Sequence, residues 1–427
     1  MKKVIGILVV VAFASSIASA ELLKNVKYNG SVEVKSVTIG NLGASLSTSF
    51  DTDLKIKYSQ TLPRVTLGIN FDLNDDVNAQ VTAVKIDRKY GDTSTTAGQT
   101  IDNITNKVMF SEAYLNLKNV IGINHKVGRQ YYGKPGDIAM YYGPSSMNFA
   151  TFVIAALDAW YGEWKKDKWT VTGLVGKVTE SNSTTAMNDK DVYGVTAAYD
   201  YSEKVKPSVY IYVSDDRTAF PLTYKPNVAG VKAAGKHQGL GYGAEFAMNS
   251  GNNSAAVDYT GTAVKADLNY NFDGKAAGKF EFMGGFAMGS GDKSTTTAKD
   301  ERFTAVRSNY IPGLLFCGVG VGATNGRSQV GLTNLTTFNF GANWTPEKLN
   351  KLSVGAKYYS FAYTEATDKP LGTELDFTAA WKHSDNVSAR AFYALFTPDQ
   401  KFVGKTGLVN NPTDAATLFG LDLVVKF

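Results

Sequence analysis

Cysteine and histidine are almost absent from this chain. Its 427 residues hold one cysteine, Cys317, and three histidines, His125, His237 and His383. A single thiol excludes an internal disulfide and a thiolate metal site. The histidines are too few and too scattered to build a Ser-His-acid triad or a metal centre. No phosphate-binding glycine loop or dinucleotide fingerprint is present. Enzymatic chemistry is therefore not expected, and neither is a cofactor or a metal. A strong excess of one charge is also lacking. Lys and Arg total 44 against 39 Asp and Glu, for a formal net charge of +5, so nothing draws the chain to nucleic acid. Beyond residue 20 there is no long uninterrupted apolar run, which excludes a bundle of membrane-spanning helices.

The one apolar run lies at the start. Lys2 and Lys3 precede an apolar stretch over 4–14, and small residues stand at Ala18 and Ala20. This is the pattern of a secretory signal peptide over 1–20, cleaved after Ala20. Cleavage would lower the formal charge to +3. No cysteine follows the cleavage point, so a lipoprotein anchor is not expected. Residues 21–427 contain no linker or compositional break and read as one unit.

What the chain has in quantity is strict two-residue alternation. Val65, Leu67, Ile69, Phe71 and Leu73 alternate with Thr66, Gly68, Asn70 and Asp72. Val264, Ala266, Leu268, Tyr270 and Phe272 oppose Lys265, Asp267, Asn269 and Asn271. At the end, Phe419, Leu421, Leu423, Val425 and Phe427 share one face, with Gly420, Asp422, Val424 and Lys426 on the other. Such alternation marks strands with one apolar and one polar face. The pattern predicts eighteen strands: 26–37, 64–73, 77–88, 108–118, 121–130, 154–164, 169–178, 191–200, 205–215, 228–235, 239–248, 263–272, 279–290, 333–344, 352–363, 372–382, 387–396 and 415–427. Short turns, such as 74–76, 165–168 and 383–386, alternate with long connections at 89–107, 131–153, 216–227, 291–332 and 397–414.

Eighteen large apolar faces need either a very large packed core or lipid. An even strand number, short turns on one rim and a C-terminal aromatic strand favour lipid. Trp164, Trp169, Trp344 and Trp381 stand beside short turns, where an aromatic girdle would meet the headgroups. The expected fold is all-β: a transmembrane antiparallel up-and-down β-barrel of about eighteen strands, in the bacterial outer membrane.

Several segments resemble the alginate-export-type outer-membrane porin family. They are Ser111 to Leu117 followed by Val127-Gly128-Arg129-Gln130, Phe286 to Asp292 leading through Lys299-Asp300 into Gly331 to Leu335, and Leu371 to Asp376 with Asn386 to Pro398. The resemblance implies an 18-stranded barrel that is a monomer rather than a trimer.

Alternation assigns side chains to the lumen. The basic candidates are Lys27, Lys35, Arg64, Lys126, Lys265, Lys357 and Arg390. The acidic ones are Glu33, Asp72, Glu112, Glu163, Glu245, Asp267, Glu281, Glu374, Asp376 and Asp422. Arg129 is a further pore-lining candidate whose parity the pattern does not fix. Signs are mixed, whereas a pore for an acidic polysaccharide should cluster cations. Glu374 and Asp376 share a strand face, and a water-filled lumen would leave them solvated. The segment after strand five, with Tyr131, Tyr132, Asp137, Tyr141 and Tyr142, is the expected constriction loop, and 291–332 is a second lid. Asp292, Asp300 and Glu301 in the latter show no regular calcium spacing. The expected function is a porin, a passive channel for small hydrophilic solutes or ions in outer-membrane lipid. The alternatives are a selective polysaccharide or oligosaccharide export channel and an adhesin-like barrel with binding loops.

Overall fold

The computed structural model describes residues 24–42, 56–85, 108–145, 153–180, 188–218, 223–253, 256–293, 298–319, 330–367, 369–399 and 415–427. The expected leader at 1–20 and connection at 89–107 lie outside the described residues. Eighteen strands make one sheet: β1 (Lys24–Leu42), β2 (Ile56–Asp72), β3 (Val77–Lys85), β4 (Met109–Val120), β5 (Ile123–Gln130), β6 (Leu157–Lys166), β7 (Trp169–Thr179), β8 (Lys190–Tyr199), β9 (Lys206–Asp216), β10 (Asn227–His237), β11 (Leu240–Ser250), β12 (Thr262–Asp273), β13 (Lys279–Gly289), β14 (Leu335–Thr345), β15 (Leu352–Ala362), β16 (Pro370–Lys382), β17 (Val387–Pro398) and β18 (Ala416–Lys426). Each is antiparallel to the next in sequence. The sheet closes where β18 pairs with β1, from Ser31↔Lys426 to Gly40↔Thr417. The short Gly/Ala-rich segment expected at 228–235 is a full member, paired on both sides.

The largest departures from the expected bounds are at the end of β1 and the start of β2. The β1–β2 hairpin runs well past 37 and begins its return at Ile56 rather than 64. From Ser36 onward the outward positions are Ser36, Thr38, Ser59 and Thr61, where the alternating pattern has apolar residues. Their hydroxyls bond one another across the hairpin, Thr38 to Ser59 and Thr61 to Ser36, both at 3.0 Å. Side-chain pairing thus sustains the ladder where outward apolar residues stop. On the opposite rim, β10 turns into β11 through Gln238 and Gly239, both with positive φ. That geometry matches the right-handed twist of the flanking strands, and glycine adopts it without strain.

The outer wall is an apolar belt. Phe340 is 53% exposed, Leu268 55% and Leu423 46%, and similar residues occupy the same depth on most strands. A polar residue tops many of the rows, such as Thr262, Thr336, Thr373 and Thr417. The belt spans some nine residues per tilted strand, in keeping with an outer-membrane band about 25 Å tall. Trp164, Trp169, Trp344 and Trp381 stand at its short-turn edge with exposed rings, and the Trp344 indole N–H donates to the Ala277 carbonyl at 2.7 Å.

The inner wall changes character with height. Towards the short turns it carries Asn70, Asn116, Lys126, Thr172 and Asn343. Towards the long connections the inward positions turn apolar: Ile39, Leu157, Val192, Val228, Leu335, Leu371, Phe396 and Leu418 are fully buried. Against them pack Ile138, Met140 and Tyr142 from one inward-folded loop and Phe303, Leu315 and Phe316 from another. Burying each large apolar side chain contributes about 1.5–3 kcal/mol. A hydrophobic core therefore sits inside one half of the barrel.

Leu423→Arg would place a cation at mid-depth of the belt. It is expected to destabilise the folded barrel in lipid by about 2–4 kcal/mol, read from the urea midpoint; no change would mean that this face does not meet hydrocarbon.

Candidate functional site

The first inward loop follows β5. Tyr132 and Tyr142 exchange backbone hydrogen bonds at 2.8 Å and pinch it into a compact unit. Gly133 sits inside that unit at φ +81, where a Cβ would lie 2.5 Å from the Met140 carbonyl oxygen, so only glycine fits. The second loop, 298–319, runs alongside. Tyr141 N–H donates to the Arg307 carbonyl at 2.8 Å, Arg307 N–H to Ala139 at 3.1 Å and Asn309 N–H to Asp137 at 2.9 Å. The two loops form one body across the lumen.

Asp137 is its keystone. One carboxylate oxygen accepts from Lys232 Nζ on β10 at 2.8 Å, and the other from the Lys134 N–H at 2.7 Å. Tyr141 and Tyr142 are buried in the body rather than presented to an open pore, and the Arg307 guanidinium lies 5.3 Å from the Tyr142 ring centre. Burial pushes the Tyr142 phenol up to about 12, partly offset by Arg307, and raises Tyr131, Tyr132 and Tyr141 in the same direction. All four remain neutral hydroxyls at physiological pH.

Glu374 and Asp376 depart from the expected solvated wall. They are 1% and 4% exposed, covered by a short π-type turn, Gly313–Cys317. Glu374 accepts from the N–H groups of Leu315 at 2.7 Å and Phe316 at 2.8 Å, and Asp376 from that of Leu314 at 3.2 Å. Phe316 stacks on Phe361 with ring centres 3.9 Å apart. These carboxylates anchor the constriction to β16. Parity places both on the inner face but carries no information about what covers them.

The other inward candidates form a mixed wall. Arg64 pairs with Glu33, Arg390 with Asp422, and Lys265 with Asp267 at 2.6 Å. Glu245 accepts from the Tyr210 hydroxyl at 2.7 Å and lies 3.3 Å from Lys232. Glu281 accepts from Asn343 at 2.9 Å and Glu112 from Thr82 at 3.1 Å. Lys126 lies over the Tyr114 ring and Lys357 over Tyr359. Arg129 is the exception. It shares its side of β5 with the exposed Val127 and makes a bidentate pair with Asp158 at 2.7–2.8 Å, half exposed, on the outer wall. Its register partner Ala113 is on the same outward side. The register continues the charged row through Asp158↔Lys177 and Lys177↔Asp191, where the apolar belt ends.

Beneath the first loop the inner wall hollows into a cavity of about 560 Å³, lined by Tyr132, Tyr161, Tyr210, Tyr212, Thr172, Thr196 and Ser208 with Lys126 and Lys232 among others. Sequence parity placed Lys126 on the inward face and the loop expectation named Tyr132, but the convergence of the other residues depends on the loop that roofs them. Among the described residues no cluster of His, Cys, Asp or Glu is arranged to hold a metal ion.

A closed eighteen-strand barrel with an apolar outer belt and loops folded into its lumen is an outer-membrane β-barrel of the porin type. A family model described as alginate export matches residues 48–370. The chain belongs to that family. Crystal structures of Pseudomonas aeruginosa OccK5 (OpdH) and OpdQ superpose with TM-scores of 0.57, each at 11% identity over 96% of this chain and 100% and 99% of theirs. OpdK with vanillate, from the same organism, gives 0.56 at 11% identity over 94% of this chain and 98% of its own. At such identities the likeness is one of fold. No curated protein matches the sequence.

Glu374→Gln keeps the shape of the anchor but turns an amide N–H towards a backbone donor. It is expected to cost about 1.5–3 kcal/mol and to speed proteolysis within 298–319 while leaving the barrel assembled.

Proposed function

We propose that this barrel is a passive channel for small hydrophilic solutes, with residues 1–20 as its export signal. One observation carries the reading: below the docked loops, the inner wall of a closed sheet is predominantly polar and of mixed charge. Eighteen strands enclose more space than their side chains fill, so solute size is limited by the loop body rather than by the wall. Solutes move down their gradient, oriented by paired charges that impose little net selectivity. The description of the family raises export of an acidic polymer as a second reading. The inner-wall arginines argue against it, since Arg64 and Arg390 are each engaged by a carboxylate and, among the described residues, no ladder of available cations follows the channel axis.

Planar-bilayer recording of the purified protein tests this. Discrete ohmic steps with a small reversal potential in a salt gradient are expected. Lys126→Glu should shift that potential towards cation preference, and Arg129→Glu, on the outer wall, should leave it unchanged. A barrel that never conducts sinks the proposal.

A further inference from the structure

The cavity beneath the first loop has the chemistry of a binding site rather than of a smooth wall. Its volume of about 560 Å³ falls within the range of small-molecule sites, about 300–1,000 Å³. Tyr210 and Tyr212 stack at 4.9 Å, and Tyr132 meets Tyr212 and Tyr161 edge-on at 6.0 and 6.2 Å. This aromatic corner is rigid, because Tyr210 is tied to Glu245 and the roof to β10 through Asp137 and Lys232. Facing it are hydroxyls, including the Thr172–Thr196 pair, 2.7 Å apart.

Three of the four charged side chains at the cavity are paired or stacked, and Lys134 stands exposed at its rim. Lys232 is shared between Asp137 at 2.8 Å and Glu245 at 3.3 Å, and the Lys126 ammonium rests 3.9 Å from the Tyr114 ring centre. Among the described residues no arginine lines the cavity, so these offer no planar fork to hold a carboxylate bidentately. Aromatic faces beside neutral hydroxyls suit a ligand with an apolar C–H face and a hydroxylated edge.

We propose that this cavity is a subsite for an uncharged sugar ring, of mono- or disaccharide size. The assignment rests on the channel reading above and deepens it, placing a weak carbohydrate-binding station on the solute's path.

The test titrates the full-length barrel in detergent by calorimetry and records ion current in bilayers, with maltose, glucuronate and vanillate as probes. Maltose is expected to bind saturably in the millimolar range, to block current in proportion, and to bind more tightly than either carboxylate. Tyr161→Ala, which removes one partly exposed wall of the corner, should weaken maltose roughly threefold to tenfold. Tyr193→Ala, on the outer wall, should change nothing. Glucuronate or vanillate binding as well as maltose overturns the assignment, as does maltose binding that ignores Tyr161→Ala. A barrel that conducts but binds no maltose overturns the site alone. One that binds maltose but carries no current overturns the channel and leaves the site standing.

Discussion

In hydrocarbon no water is available to satisfy a stray backbone N–H or C=O, so a sheet in a membrane must close on itself. The seam between β1 and β18 meets that demand, and the rest of the molecule depends on it. Its ladder runs ten residue pairs, Ser31↔Lys426 to Gly40↔Thr417. Once closure is imposed, two-residue alternation has one consistent meaning around the circumference: odd and even positions face different solvents. The belt residues Phe340 and Leu423 and the lumen residues Asn343 and Asp422 are consequences of one geometric rule.

The lumen itself obeys a second rule. Where the inward positions are apolar, the loops dock and exclude water; where they are polar, the lumen stays hollow. The docked body resembles a small soluble core, with stacked Phe316 and Phe361 and with buried carboxylates held by backbone N–H groups, Glu374 through both of its oxygens and Asp376 through one. An unpaired buried carboxylate would be strongly unfavourable. The same pair therefore explains how acidic side chains persist within an apolar region and how the second loop keeps its position.

The strands were legible because their signal is local and periodic: all eighteen expected segments correspond to members of the sheet, and the tryptophans at short turns stand at the belt edge. The end of β1 and the start of β2 were missed because Ser36, Thr38, Ser59 and Thr61 replace the apolar outward residues that mark a strand. Arg129 is placed by its register with Ala113 and Asp158, which shows that the alternation of Lys126 and Val127 continues unbroken through Gly128. The apolar upper lumen did leave a trace, since Ile39, Leu157, Val192 and Phe396 occupy inward parity near the long connections. What they cover is set by contacts far apart in sequence, and no local pattern reports those.

The loop body is built from distant parts: Gly136 bonds Asn309 across 173 positions, and its second half is fastened to β16. Until β16 has joined the sheet, the second loop lacks its anchor, and the first is held to the wall by the Asp137–Lys232 pair on β10. The last strands therefore complete the constriction as well as the wall.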